Sequence, residues 1–393
     1  MDEVRSGLQC VAAFGLRGDG RVGEPIVFSD HAWSLFLGRL VHQRLTGLAV
    51  AAAEAGAIEL RGAQLAQLID RQREAMTLSL TLERRLLGLV PALDANGIDY
   101  AVLKGPAVAH SRYPDPAWRP FGDLDILVRS RQLDRACELL SDLGLRRVFP
   151  EPRPGFVVRF GNTVLHRDDA GIEIDLHHTL VAGPFGQWIE PDQLLSDLAT
   201  FHLGGKEIKR LGDTGLLLHA CIHTSLGHRP PLLMPVRDIG QILQTASVDE
   251  VLLAEWVRRW ELRGVLRHAF EQAWEVTATR PSPFIQALCD QPPIGRERWA
   301  LEAYSTARRE RGGRALATLR AISGIRRRVA FVRAMLFPDR RFLEWRVGRG
   351  PHPLLRRWKT PLSWLRMSWL RTERRPARAQ KRLREEPRQK IDR

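Results

Sequence analysis

The sequence predicts an α+β protein in which a small core of short strands is embedded between helical regions. Three observations carry this expectation. Apolar residues recur at three- and four-residue intervals over residues 30–48 and 63–97, give way to short strand-like runs between 98 and 177, and return to helical spacing from about 192. The chain has 393 residues with 44% hydrophobic and 27% charged side chains, enough apolar material for a sizeable core. No run approaches the ~18 uninterrupted apolar residues of a membrane span. The expected organisation is a helical region over 1–97, an α/β core over 98–190, a helical domain over 191–330 and a basic tail over 331–393.

Taken in order, residues 1–30 hold glycine-rich turns at Gly15, Gly18, Gly20 and Gly23, and GLRGDG lacks the glycine spacing of a dinucleotide fingerprint. Ser29 or Asp30 can cap a helix running through Leu48. A longer helix over 63–97 stops at Asn96-Gly97. Residues 98–103 form a short strand, Lys104-Gly105-Pro106 a turn, and a Pro/Arg-rich loop over 112–122 feeds the apolar strand 124–128. Residues 131–143 have an amphipathic helical pattern ended by Gly144. Strands are expected at 156–160 and 163–166, joined by Gly161-Asn162. A further strand over 171–177 alternates so that Glu173, Asp175 and His177 share one face.

Charge is unevenly distributed. The chain carries 60 Lys/Arg against 45 Asp/Glu, a net of +15, but residues 331–393 alone hold 19 basic and 6 acidic side chains, leaving only +2 for the body. In that tail arginines interleave with Trp345, Trp358, Trp364 and Trp369. This suits an anionic membrane surface, RNA, or a cap on the helical domain, while Pro351, Pro353 and Pro361 oppose one long membrane helix. Cys10, Cys137, Cys221 and Cys289 are too few and scattered for a disulfide scaffold, which predicts a reducing compartment. With no signal-like N-terminus, the expected location is cytoplasmic, with peripheral attachment at the inner face of the membrane through the tail.

The most informative local pattern is Gly122-Asp123-Leu124-Asp125. Carboxylates at i and i+2 entering a strand point to one side and can hold divalent cations between protein and phosphate. An isolated Asp-x-Asp is as readily a cap or an ion-pair partner. Asp175, between Ile174 and Leu176, offers a third carboxylate. Three such groups suit in-line phosphoryl transfer from a nucleotide triphosphate.

Together, Lys104-Gly105, the loop ending in Arg119, GDLDILV over 122–128 and Ile174-Asp175-Leu176-His177 resemble the poorly characterised bacterial nucleotidyltransferases related to the DNA polymerase beta superfamily. The resemblance covers about residues 98–180, more weakly 35–97 and 192–245. It implies a mixed sheet carrying Asp123 and Asp125 as paired ligands and Asp175 as the third, with Mg²⁺ or Mn²⁺ as cofactor and an NTP such as ATP as substrate. The superfamily's usual Gly-Ser turn is here Lys104-Gly105-Pro106. Gly105 still permits close approach of a phosphate and Lys104 adds a charge, but Pro106 has neither hydroxyl nor N–H.

The implied roles follow. Asp123 and Asp125 bind metal, and Asp175 completes the metal site or accepts the acceptor's proton. Lys104 and Arg119 are phosphate-clamp candidates, with Gly105 and Gly122 lining the nucleotide. His177 orients Asp175 or simply hydrogen bonds, and Glu173 is an accessory candidate. The expected activity is transfer of a nucleoside monophosphate to a small-molecule, protein or RNA acceptor with release of pyrophosphate; the alternative is a noncatalytic relative that binds membrane or nucleic acid through its tail. His219 and His223, with Arg237 and Asp238, form either a polar wall of the cleft or core hydrogen bonds. Cys221 and His223, with His219 and His228 nearby, read as packing rather than a metal site.

Overall fold

The computed structural model describes residues 2–16, 25–227, 231–293, 295–304 and 313–347. After α1 (Asp2–Ala13) and the short strand β1 (Ile26–Val27), α2 spans Asp30–Gln43, with the Ser29 hydroxyl accepting from the Ala32 N–H at its start. The helix expected through Leu48 ends early. Arg44 adopts left-handed φ of 60°, its N–H donates to the Val41 carbonyl, and the Leu45 N–H donates to the Leu40 carbonyl, a Schellman stop built on a non-glycine residue. The chain re-enters helix as α3 (Thr46–Glu54), then passes β2 (Ile58–Glu59) into α4 (Gly62–Ala95). Gly47 lies so close to the Ala117 carbonyl that a Cβ there would sit 2.0 Å from its oxygen, which ties α3 to the loop before the acidic pair.

The α/β core is β3 (Tyr100–Val102), α5 (Pro106–Arg112), β4 (Leu124–Val128), α6 (Leu133–Asp142), β5 (Arg146–Arg147), α7 (Phe156–Phe160), β6 (Thr163–Arg167) and β7 (Glu173–His177). After α8 (Pro191–Leu194), the hairpin β8 (Leu198–Leu203) and β9 (Lys206–Leu211) joins the same sheet. The strand order is β5-β6-β7-β4-β3-β9-β8, a mixed sheet in which β4 pairs parallel with β7 and antiparallel with β3. The helices α9 (Asp213–Leu226), α10 (Leu233–Thr245), α11 (Glu250–Arg259), α12 (Arg263–Thr277), α13 (Pro283–Asp290) and α14 (Gly295–Glu302) follow, then α15 (Gly313–Ala321), α16 (Ile325–Leu336) and α17 (Arg340–Val347).

Residues 156–160 correct a sequence expectation: they form helix α7, not a strand. The Glu151 carboxylate accepts from the N–H groups of Gly155 and Val157, capping the turn. Phe156 and Phe160, four residues apart, lie 5.2 Å from each other and pack against Phe331 of α16; one helical turn brings such residues together, whereas a strand would hold them ~13 Å apart. Gly161-Asn162 therefore joins a helix to β6.

The two-residue period of the strands divides two cores. Val102, Leu124, Ile126, Val128, Ile174 and Leu176 pack on one face against Leu86, Leu89 and Leu93 of α4 and Leu133 and Leu140 of α6. Ala101, Leu103 and Leu127 point the other way, into the larger cluster that holds α2, α3 and helices α9–α12. Asp125 and Asp175 occupy that second face. Phe331 packs inside the structure, and Trp345 lies against Phe149 at 5.2 Å. Trp358, Trp364, Trp369 and the rest of 348–393 lie outside the described residues. Among the described residues, no helix is long and apolar enough to cross a membrane.

Candidate active site

The register of β4 and β7 creates the site. Asp125 pairs directly with Asp175, and Leu127 with His177, so alternation brings Asp125, Asp175 and His177 together on one face. One ligand atom from each lies within 4.8 Å of the others. His177 Nε2 is 3.0 Å from Asp125 Oδ1, and Thr163 on the neighbouring strand donates to Asp175 Oδ1 at 3.3 Å. Asp125 and His177 are buried, whereas Asp175 is partly exposed.

Lys104, at the end of β3, lies between the paired aspartates: its Nζ is 3.1 Å from Asp125 Oδ2 and 3.5 Å from Asp123 Oδ2. Arg44, turned by its left-handed backbone, reaches Asp123 Oδ1 at 3.5 Å. Asp123 thus faces two cations and stands apart from the Asp125–Asp175–His177 group. Gly105 has φ of 61° and ψ of −116°, and a Cβ there would meet the Phe121 ring at 3.3 Å, so both backbone and space favour glycine. Pro106 is the first residue of α5, where its missing N–H breaks no helical bond. Gly122 directly precedes Asp123.

The electrostatics follow from burial set against charge. Burial works against the Lys104 ammonium, yet Asp123 and Asp125 outweigh it and hold its pKa above the ordinary lysine value. Burial alone would raise Asp125, but Lys104 and His177 overcome it and keep the carboxyl below the usual range. For His177, burial is likewise outweighed by the hydrogen bond to Asp125, and its pKa rises. Asp175 is pushed up to about 7 by burial and by the Asp125 charge.

Arg119, a phosphate-clamp candidate from sequence, is engaged elsewhere. It is buried and donates to both carboxylate oxygens of Asp238, at 2.8 and 2.6 Å, and to the Gly105 carbonyl at 3.1 Å. Tyr113 donates to the same Asp238 at 2.9 Å. The guanidinium therefore fixes the Gly105 turn from below. Glu173 pairs with Arg167 on β6 at 3.0 Å, two residues before Asp175 on β7.

Sequence reasoning missed Arg44 and Tyr113, and it did not pair Asp238 with Arg119. Their separations from their partners in sequence left no local signal. His219, on α9, packs beneath the site. Burial and the Lys104 charge push it down to about 3, so it is neutral. Arg237 is a core residue, donating to the Ala12 carbonyl and to Gln241. Cys221 is wholly buried, with burial raising its thiol pKa, and it joins no metal-ligating group among the described residues. His228 lies outside the described residues.

A mixed sheet that carries acidic residues on adjacent strands, beside a glycine turn and a lysine, is the arrangement that the resemblance to nucleotidyltransferases implies. The chain belongs to the family described as Uncharacterised nucleotidyltransferase, which matches residues 29–277. That span runs from the cap of α2 to the end of α12 and encloses the whole site. An antigenic nucleotidyltransferase-like protein from Paracoccidioides brasiliensis, known from its crystal structure, is similar at 16% identity, covering 54% of this chain and 95% of its own, with a TM-score of 0.29. No curated protein matches the chain.

Proposed function

We propose that the protein transfers a nucleoside monophosphate from an NTP to an acceptor, with release of pyrophosphate, in the manner of the DNA polymerase beta superfamily. The observation that carries this reading is the direct pairing of Asp125 with Asp175 on parallel strands beside Lys104, within a nucleotidyltransferase family. A divalent cation fits the donor set. Asp125 Oδ2 and His177 Nδ1 are buried without hydrogen bonds, although Lys104 forms an ion pair with the former. Oxygen-rich ligation suits Mg²⁺ or Mn²⁺, held by Asp125 and Asp175 with Asp123 alongside; such an ion neutralises charge developing on the transferred phosphoryl group.

In the reaction the acceptor oxygen attacks the α-phosphorus, the bond to the bridging oxygen of the β-phosphate breaks, and pyrophosphate carries away the electron pair. Asp175, with its exposed edge, completes the cation site or takes the acceptor's proton. Lys104, already charged, is close enough to exchange one of its carboxylate partners for a phosphate oxygen. Gly105 allows a phosphate close to the backbone, and Arg119 with Asp238 holds that turn in place. Asp123 and Arg44 line the approach.

One observation favours a noncatalytic reading: Lys104 satisfies both Asp123 and Asp125 from within the protein, which is how a site that had lost its cation would persist. The two readings separate in one experiment. Each NTP, radiolabelled at the α-phosphate, is incubated with Mg²⁺ or Mn²⁺ and fractionated host extract, comparing wild type with Asp125→Ala. Labelled product that depends on Asp125 supports transfer and identifies the acceptor class. Absence of both nucleotide binding and labelled product across the panel rejects it.

A further inference from the structure

Residues 313–338 contain six arginines and no acidic residue. They form α15 and α16, whose packing leaves a second apolar surface. On α16 the buried side chains are Phe331, Ala334 and Met335, which meet Phe156 and Phe160 of the α/β core. Ile325, Val329, Val332 and Leu336 follow at intervals of four, three and four residues and form a separate stripe. Ile325 is 73% exposed, Val329 58% and Val332 36%, and Phe337 extends the stripe at 51%. By helical geometry Arg326 and Arg333 flank one side of it and Arg328 the other. Between α15 and α16 the stripe, Arg328, Arg333 and Phe337 line an open groove of about 600 Å³ together with Leu319 and Arg320.

An aliphatic stripe with arginine on both sides is the composition of a helix that lies in a membrane interface. We propose that the α15–α16 face docks on an anionic bilayer, with the Ile325–Val329–Val332–Leu336 stripe entering the boundary between headgroups and acyl chains and the flanking arginines meeting lipid phosphates. Charge decides against other occupants. A second copy would bring another Arg320, Arg326, Arg328 and Arg333 to a face whose residues 313–338 include no carboxylate. Residues 348–393 hold 15 Lys/Arg against 4 Asp/Glu, the same sign again. Single-stranded RNA is held by aromatic stacking, and the stripe on α16 is aliphatic.

The test uses the full chain and flotation with vesicles of phosphatidylcholine, alone or mixed with phosphatidylglycerol. Wild type should float with the mixed vesicles, more weakly as salt rises, and not with phosphatidylcholine alone. The triple variant Ile325→Ser/Val329→Ser/Val332→Ser keeps the net charge, so its loss reads apolar insertion alone; affinity should fall at least about tenfold. Arg326→Gln/Arg333→Gln should lose about thirtyfold and flatten the salt dependence. An unchanged thermal midpoint in each variant keeps folding out of the comparison. The proposal is overturned if the triple variant floats as well as wild type, if its RNA affinity falls while vesicle binding does not, or if it converts a dimer that ignores vesicles into a monomer.

Discussion

Asp238→Asn tests whether Arg119 acts on the fold or on a phosphate. The substitution keeps the shape of the side chain and removes its charge. Arg119 and Asp238 are 5% and 4% exposed and joined by two hydrogen bonds, and Tyr113 adds a third to Asp238. Burial works against the Arg119 charge, and Asp238 restores it, so the guanidinium stays ionised with its main partner weakened. Leaving one member of a buried pair uncompensated costs about 3–5 kcal/mol. Chemical denaturation of wild type and variant, with slopes compared, measures that loss. The double variant Arg119→Met/Asp238→Leu removes both charges and should recover at least about 2 kcal/mol relative to the sum of the single substitutions. A loss under about 1 kcal/mol, or strict additivity, would refute the structural account. Loss of NTP affinity in Arg119→Met at unchanged stability would return this arginine to the phosphate site.

Further expectations concern the site and its frame. Asp175→Asn should abolish Mn²⁺ binding measured by calorimetry while leaving the circular dichroism spectrum intact, because half of the aligned carboxylate pair becomes neutral; retained affinity would remove Asp175 from the cation site. Gly47→Ala should destabilise by about 2 kcal/mol or more in denaturant titrations, since the new methyl group would overlap the Ala117 carbonyl and α3 must shift. His166 is depressed from 6.5 to about 4, chiefly by burial, so the unfolded chain binds its proton more readily than the folded one. Stability from this residue is therefore present above pH 6.5 and lost as pH falls toward 4, to the extent of about 3 kcal/mol. Denaturation at a series of pH values should show a smaller loss over that window in His166→Asn; an identical profile would contradict it.

Much of the site was legible locally. Asp123 and Asp125 stand two residues apart at a strand entrance, and Asp175 and His177 two apart on another, so each pair could be assigned a common face from alternation alone. The helices over 63–97 and 131–143 were legible for the same reason: their period is a property of contiguous residues. Residues 156–160 misled because Phe-Val-Val-Arg-Phe is rich in strand-favouring side chains. The Glu151 cap and the contact with Phe331, distant in sequence, override that preference. The helix expected to continue to Leu48 stops at Arg44 in a left-handed turn that an arginine rarely adopts, and no local glycine announces it.

By itself the sequence determined the acidic motif, the order of helical and strand-like regions, and the concentration of basic charge toward the C-terminus, because each depends on short spacing or composition. Tertiary structure decided which groups meet. The parallel register sets Asp125 against Asp175, Lys104 closes on both paired aspartates, and Asp238 draws Arg119 beneath the Gly105 turn. It also exposed the aliphatic stripe of α16, since only the packing of Phe331, Ala334 and Met335 reveals which face of that helix is left to solvent. Such pairings follow from burying apolar faces on one another, a long-range constraint that no local spacing encodes.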